Sequence, residues 1–418
     1  MTKIFTLILS FFAFLVFAAC SEVAYANEKA DSQELLLDRD YRALLHLSDA
    51  NTLGRKQTLY GSLAEAKAQC SGEDGDLIRT LGYYEAYDGG GAEYILREKA
   101  FADDITVHAT KSGQYLELLY TDELNVLTVG VIADGNREFP TDNQPRLMAI
   151  ADFDLYFPEG CYYISSPIRI NRAVTWRGIH GKRNEESAVL ICEGSGITIN
   201  GRGATIDGIN FEHTKKQTDV AAITIEKNTQ YVTVRNLFMR GFNYGLYLSD
   251  DCWGASVNNC SFLFNNEGLF IKNDANEVVV RECYFLGNNN GIHTVSSCVH
   301  NLVINDCLFQ DQRSAQLRVE TCSGVELFCS GCFFENKWGR SVIIGENEVP
   351  GTKINHIVFV GDRFYHGAES EGGLYLGYVE NAAIIGCFFN KNEAVAHDYV
   401  FAEHVDNLHM EGNSLKNL

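Results

Sequence analysis

The sequence reads ECYF at residues 282–285, DCLF at 306–309 and GCFF at 331–334, three copies of one phrase that recurs between residues 208 and 389. Aligned on its last residue, the series is Phe211, Phe238, Phe262, Phe285, Phe309, Phe334, Phe364, Phe389 and Leu415. Successive members lie 27, 24, 23, 24, 25, 30, 25 and 26 residues apart. A repeat of about 20–50 residues is typical of solenoids and repeat arrays.

The segments between these anchors alternate apolar and polar residues over four to six positions, as at 245–249 and 278–285. Turns rich in Asn and Gly, such as 288–291, separate them. Alternation with turn punctuation indicates short strands, and the repeat is too short for a strand–helix–strand unit. We therefore predict an all-β fold, a right-handed parallel β-helix with about three short strands per coil and layers about 4.8 Å apart.

The chain has 418 residues and a formal net charge of −21. This charge disfavours nonspecific binding to nucleic acid or to anionic lipid, and a polyanionic ligand would need a local basic patch. The length accommodates one solenoid, expected over residues 125–418, behind a small N-terminal part.

Residues 1–26 are expected to be an export signal, because Lys3 precedes a largely apolar run of 14 residues and then small residues. The sequence AYA at 24–26 is a cleavage site, whereas 17–20 resembles a lipoprotein box that would lipidate Cys20. Both alternatives predict a protein that leaves the cytoplasm and is periplasmic, extracellular or lipid-anchored at the cell surface. The sequence contains no later candidate for a membrane span.

Residues 27–74 are expected to form a helical lead-in, with one amphipathic helix over 33–47 and a second that begins at the capping-box sequence SLAE, 62–65. Residues 75–124 are expected to be a small β-rich segment. In it, the glycines at 89–91 form a turn before a strand over 93–96. These glycines lack the Lys-Ser or Lys-Thr of a phosphate-binding loop.

Five cysteines lie two residues before an anchor and therefore on the same strand face. These are Cys260, Cys283, Cys307, Cys332 and Cys387. We expect them to form a buried column of thiols rather than disulfides or metal ligands. Cys252, Cys298 and Cys322 suggest a second column, with Ala275 in its gap. Cys329 and Cys332 have C-x-x-C spacing, but this spacing does not recur.

Residues 75–92 and 115–120 resemble the short lead-in of phage tailspikes and related bacterial proteins. Residues 125–135 and 155–164, with Thr141 and Asp142, resemble the entry segment of the pectate-lyase-like β-helix superfamily. The resemblance implies a capping helix, expected here over 142–151 with Thr141 and Gln144 as a capping box. It also implies structural roles for Asp134 and Asp142, and it indicates fold more than reaction.

Aligning the coils places one outward residue of each along a single row, which comprises Tyr247, Phe270, His293, Arg318, Ile343 and Tyr375. A second row, two residues on, contains Lys272, Glu320 and Gly345. Aromatic side chains suit the faces of sugar rings, so Tyr247, Phe270 and Tyr375 are candidate substrate-binding residues. The ionisable group His293, Arg318, Lys272 and Glu320 is the candidate catalytic set.

Two reactions fit this set. In a lyase, Arg318 and Lys272 would bind a uronate carboxylate while His293 removes a proton. In a glycosidase, Glu320 and Glu346 on neighbouring coils would be the carboxyl pair.

We therefore predict an exported protein that cleaves an acidic polysaccharide, with β-elimination slightly ahead of hydrolysis. The alternatives are a non-catalytic carbohydrate-binding or adhesive solenoid and a tailspike-like depolymerase. The chain is expected to be a monomer or homotrimer without a certain cofactor. Calcium at Asp250, Asp251 and Asp274 is one option, and a simple turn at 250–251 is another.

Overall fold

The structure is a computed structural model that describes residues 56–179, 187–214, 219–295, 299–367, 370, 372–391 and 399–417. The chain divides into two compact units after Leu124. The expected export signal, with Cys20, and the expected helix over 33–47 lie outside the described residues. No helix in the described part is both long enough and apolar enough to span a bilayer.

The first unit contains a five-stranded sheet. Its strands, in sheet order, are Gln57–Tyr60, Leu77–Thr80, Glu93–Arg97, Tyr115–Leu118 and Val107–Ala109. The helix Leu63–Gln69 begins where the sequence predicted, and the Ser62 side chain accepts a hydrogen bond from the Glu65 amide at 3.3 Å. The strand Gln57–Tyr60 lies within the range that was expected to be helical. It was not predicted because alternation over only four residues is a weak signal.

The second unit is a parallel β-helix with three strands per coil. Sheet 1 has eleven strands: Gly160–Ile164, Ala188–Cys192, Ile209–His213, Phe238–Arg240, Ser261–Leu263, Tyr284–Leu286, Leu308–Gln310, Phe333–Asn336, Arg363–His366, Phe388–Lys391 and Ser414–Asn417.

The other strands of this unit form one sheet of twenty strands, in which the coils present two faces. Sheet 2 is the face formed by Ile168–Ile170, Ile197–Ile199, Ala221–Ile225, Tyr244–Leu248, Glu267–Lys272, Asn290–Val295, Ala315–Val319 and Arg340–Ile344. Sheet 3 is formed by Leu155–Phe157, Thr175–Gly178, Thr205–Asp207, Thr233–Arg235, Ser256–Asn258, Asn276–Arg281, His300–Asn305, Glu326–Ser330 and Ile354–Val360. The long strands Gly372–Ile385 and Val400–Glu411 run through both faces. The two-residue strand Leu124–Asn125 completes the set.

The repeated phenylalanines stack inside the coils, as the repeat predicted. From Phe262 to Phe389, successive ring centroids are 4.6–4.9 Å apart and the rings are within 7° of parallel. This spacing matches one β-strand layer of about 4.8 Å. All six rings are fully buried, so one side chain per coil fills the centre of the core.

One anchor was assigned wrongly. Met239, and not Phe238, pairs with Phe211 on one side and Phe262 on the other. The Leu-Phe-Met run at 237–239 is buried throughout, so apolar character alone could not distinguish its members. The final anchor, Leu415, pairs with Phe389 as expected.

The five members of the first cysteine column are at most 2% exposed, so the column is buried as the repeat predicted. The second column differs from the prediction at its later positions. Cys252 and Ala275 are buried as expected, but Cys322 is only half-buried and the nearby Val325 is buried instead. A one-residue shift of register after Ala275 puts Val299 in the column. Cys298 lies outside the described residues.

A helix precedes the first full coils, but it covers only Gln144–Ala149. The expected capping box is wrong, because the Thr141 hydroxyl donates to Asp134 and Asn143 occupies the cap position. Asp142 accepts a hydrogen bond from the Gln144 amide at 3.0 Å. Both aspartates therefore have the structural roles that the resemblance implied.

Glycines bring the strands of sheet 2 close to the phenylalanine stack. A Cβ atom on Gly268 would lie 2.4 Å from the Gly291 carbonyl oxygen and 2.9 Å from the Phe285 ring. Gly245 and Gly291 are equally confined. These positions fix the start of each sheet 2 strand and so set the register of the outward residues beyond them.

Candidate functional site

The outward residues of sheet 2 form a row that extends further than the sequence predicted. The predicted members, from Tyr247 to Tyr375, pair in register layer by layer. We call the complete set the outer row: Arg169, Thr198, Thr224, Tyr247, Phe270, His293, Arg318, Ile343, Tyr375 and Phe401.

Three aromatic rings form a platform at one side of His293. Tyr247 and Phe270 are stacked at 5.6 Å and 14°, and Tyr244 lies 4.9 Å from Phe270. Phe270 in turn contacts the His293 ring edge to face at 5.4 Å. The platform is partly exposed, and its apolar rings end directly at the ionisable centre of the row.

His293 lies between two carboxylates. Its Nδ1 atom is 3.3 Å from Glu267 Oε2, and its Nε2 atom is 3.6 Å from Glu320 Oε1. The side chains of Glu267 and His293 are 8% and 13% exposed, whereas that of Glu320 is 31% exposed. We call these three residues the histidine site; it has one buried carboxylate and one that solvent reaches.

Glu267 is also held through its other carboxylate oxygen. Asn290, its register partner in the next layer, donates to Glu267 Oε1 at 3.1 Å. Glu267 Oε2 and both His293 nitrogens are close to their neighbours but do not form a hydrogen bond of good geometry with any described residue. Buried polar atoms without a hydrogen bond are uncommon in folded proteins and call for an explanation, of which a catalytic role is one.

Arg318 and Lys272 lie in the two layers that flank His293, as the register predicted. The Arg318 guanidinium donates to Glu346 at 2.5 Å. Lys272 is exposed, pairs in register with Val295, and makes no ion pair in the described part of the chain. Glu346 therefore neutralises the Arg318 guanidinium.

Tyr375 is less available than the other aromatic residues of the row. It is 8% exposed and its hydroxyl donates to Glu403 at 2.7 Å. Burial, followed by this hydrogen bond, raises the pKa of Tyr375 to about 12. The Arg340 guanidinium lies 4.9 Å from its ring centroid. The assignment of Tyr375 as a substrate-binding residue is therefore not supported, whereas Tyr247 and Phe270 remain accessible.

Sequence reasoning missed Glu267 and Tyr244, which immediately precede the glycines of sheet 2. Strict alternation from Phe270 assigns Glu267 to the inner side of sheet 2. Glu267 is the first residue of its strand, next to the turn, and its carboxylate nevertheless reaches His293. The recurring polar or aromatic residue before each glycine was the signal that could have identified this position.

Asp250 and Asp251 form a turn, in which they interact with Asn273 and Lys227 respectively. Asp250, Asp251 and Asp274 do not bring three ligand atoms together, so the calcium option has no support. Within the described residues, one group of three potential ligand residues has its ligand atoms within 4.8 Å of one another. It comprises Cys329, Cys332 and Asp362 and lies inside the coils.

Residues 179–308 match the family model described as the right handed beta helix region. The tailspike protein of Acinetobacter phage vB_ApiP_P1 has a similar structure, with a TM-score of 0.61 and 13% identity, over 88% of this chain and 73% of that one. A second similar structure is tailspike protein gp49 of Acinetobacter baumannii bacteriophage Fri1, a capsular polysaccharide depolymerase. Its TM-score is 0.51 at 12% identity, and the match covers 86% of this chain and 74% of that one. No curated protein sequence matches the chain. The fold of the second unit is that of a right-handed parallel β-helix, with the same solenoid architecture as phage tailspikes.

Proposed function

We propose that the chain binds a polysaccharide along the outer row and cleaves a glycosidic bond at the histidine site. The observation that carries this proposal is the His293 imidazole between Glu267 and Glu320, next to a platform of aromatic rings. A titratable group between a buried and an accessible carboxylate is suited to proton transfer.

The aromatic platform supports a carbohydrate as the ligand. The stacked rings of Tyr247 and Phe270 present a partly exposed apolar surface on which a sugar ring can pack. The outer row continues past them to Arg169 on one side and to Arg318 on the other. Layers about 4.8 Å apart would allow an extended polymer to contact many coils. The capsular polysaccharide depolymerase with a similar fold is consistent with this class of ligand.

Hydrolysis would use the three residues of the histidine site in different roles. Glu267 orients the imidazole, and Glu320, the carboxylate that solvent reaches, takes a proton from a water molecule that attacks the anomeric carbon. The leaving oxygen takes a proton from solvent as its bond to the anomeric carbon breaks. The 3.6 Å contact between Glu320 and His293 Nε2 then offers a route by which the proton passes from Glu320 to the imidazole and on to solvent.

The local charges favour hydrolysis over β-elimination, which reverses the order expected from the sequence. A lyase must neutralise the carboxylate of a uronate. Here Arg318 is already paired with Glu346, and the two charged groups that contact His293 are the carboxylates of Glu267 and Glu320. A neutral or weakly acidic glycan suits this environment better than a polyuronate.

β-Elimination remains a second candidate because Arg318 lies in the layer next to His293. If Glu346 released Arg318, the guanidinium could bind a uronate carboxylate. Glu346→Gln would then strengthen binding of uronate polymers, whereas a hydrolase acting on neutral glycans would show no such gain.

The test is incubation of the full chain with a panel of neutral and uronate-containing bacterial polysaccharides. Hydrolysis produces new reducing ends without the ultraviolet absorbance of a new conjugated double bond, and β-elimination produces both. We expect reducing ends alone, with a loss of about 100-fold or more for Glu320→Gln. Binding without either product would contradict the proposal and indicate a carbohydrate-binding solenoid.

The matched control for this test is Glu326→Gln, the same substitution on the outer surface of sheet 3, where Glu326 Oε1 lies 4.0 Å from His356 Nδ1. Glu326 is not part of the outer row, so this variant should retain the wild-type rate. An equal loss in Glu326→Gln and Glu320→Gln would show that the effect is not specific to the histidine site.

A further inference from the structure

The interior columns of the β-helix are broken at two positions that touch each other. Asp362 occupies the layer between Cys332 and Cys387 in the thiol column. In the adjacent inner column, Val257, Val280, Ile304, Phe359 and Ile384 are apolar, while Cys329 takes the remaining place. Asp362, the exception in the thiol column, and Cys329, the exception in the apolar column, therefore lie next to each other in neighbouring layers.

These exceptions create a compact group of potential ligands. One ligand atom from each of Cys329, Cys332 and Asp362 lies within 4.8 Å of the others. Cys329 Sγ is 3.6 Å from Asp362 Oδ1, and all three residues are fully buried. Cys307 lies in the layer on the other side of Cys332 from Asp362, and its backbone amide donates to Cys332 Sγ at 3.4 Å.

Asp362 is not explained by its hydrogen bonds. Its Oδ1 accepts from the Cys332 amide at 2.8 Å, but its Oδ2 has no partner among the described residues. Asn413 makes the equivalent bond to the Cys387 amide, also at 2.8 Å, without a titratable group. A buried carboxyl with an unsatisfied oxygen is destabilising.

We propose that Cys329, Cys332 and Asp362 bind one thiophilic divalent cation, of which Zn²⁺ is the representative. Thiolates and a carboxylate are zinc ligands. Binding displaces the thiol protons, and any proton on Asp362, to solvent. The cation satisfies the free carboxylate oxygen and links two layers of the coil.

Metal loading would be coupled to folding. Cys329, Cys332 and Asp362 are fully buried once the coils have stacked, so a cation reaches them before the coils close. The thiols release their protons to solvent when they bind it. The cation is therefore expected to enter as the coils assemble, as in other structural zinc sites.

The experiment refolds the full, reduced chain with Zn²⁺ or Co²⁺ and removes excess metal by dialysis. We expect one metal equivalent per chain, thiolate-to-cobalt charge-transfer absorbance in the near ultraviolet, and a Tm that is higher than that of protein refolded with a chelator. Cys329→Val restores the apolar column and should lower metal affinity at least about 10-fold. Cys260→Ala, in the same thiol column but three layers from Cys332, is the control and should bind normally.

Asp362→Asn provides a second variant if Cys329→Val does not fold, because an amide makes the same bond at Asn413. It should retain the fold and lose metal affinity. The proposal is overturned if the wild-type chain retains no metal, if Cys329→Val and Asp362→Asn bind as tightly as wild type, or if mass spectrometry shows a Cys329–Cys332 disulfide in the folded protein.

Discussion

The inner and outer surfaces of the same coils follow opposite rules. Inside sheet 1, phenylalanine repeats in six successive layers with nearly constant spacing. On the outer row of sheet 2, the residue changes from Tyr247 to Phe270, His293 and Arg318 over four layers. The core is filled by repeating one shape, because identical rings stack at the strand spacing, whereas an outer surface that binds a ligand needs different groups at different heights.

Phe262 and Phe270 test this contrast most strongly, because they are the same residue type in one coil, with Phe262 inside sheet 1 and Phe270 on the outer side of sheet 2. Phe262→Ala opens a cavity in the stack and should lower the free energy of unfolding by about 3–5 kcal/mol. Phe270→Ala removes a partly exposed ring, so it should have a much smaller effect on unfolding but weaken polysaccharide binding. Chemical denaturation and a binding assay measure both. Equal losses of stability would contradict the contrast.

Replacing His293 should reduce activity strongly and stability little, the opposite of replacing Phe262. His293→Ala removes the proposed proton-transfer group and is expected to reduce the rate of glycan cleavage by about 100- to 10,000-fold. Because the ring lies on the outer row and not in an interior column, the Tm should fall less than that of Phe262→Ala, and Glu326→Gln provides the reference. A variant that is folded and fully active would exclude His293 from the reaction.

Met239 allows the repeat rule to be sharpened. It lies in register between Phe211 and Phe262, so Met239→Phe would extend the stack by one ring. Phenylalanine already fits the equivalent position in the layers on either side, and the change in unfolding free energy should be below about 1.5 kcal/mol. A loss as large as that of Phe262→Ala would show that the local coil, and not the column, determines which residue fits.

The first unit has no repeating columns, and a single polar group organises its glycine turn. The Asp88 carboxylate accepts hydrogen bonds from the amides of Tyr83, Tyr84, Glu85 and Gly90. Burial alone would raise the pKa of Asp88, but these four bonds outweigh it and lower the pKa. Its stabilising contribution is therefore present above the unfolded-state pKa and is lost as pH falls through the lowered value.

Asp88→Asn should reduce this acid sensitivity, and because the side chain is exposed the effect should be the smallest of the four. Hydrogen exchange of the turn amides between pH 2 and 5 measures it locally, and the amides of the second unit serve as the internal reference. An unchanged pH profile in Asp88→Asn would show that other groups stabilise the turn.

The sequence was sufficient to predict the coil period, the phenylalanine stack, the first cysteine column and the register of the outer row. It was sufficient because strand alternation has a period of two and coils of nearly constant length repeat the same positions. It failed at Phe238 and at Cys322, where a shift of one residue within an apolar or irregular run left the pattern almost unchanged.

The partners of individual side chains were decided only by the tertiary structure. Glu267 contacts His293, and Arg318 binds Glu346, through side chains that reach across layers from corners and loops of different length. Cys329 and Asp362, 33 residues apart, meet inside the coil for the same reason. The repeating sequence determines which height and which wall each residue occupies, because these depend on counting along a regular strand. The direction in which a long or charged side chain turns depends on its neighbours in space, which the repeat does not specify.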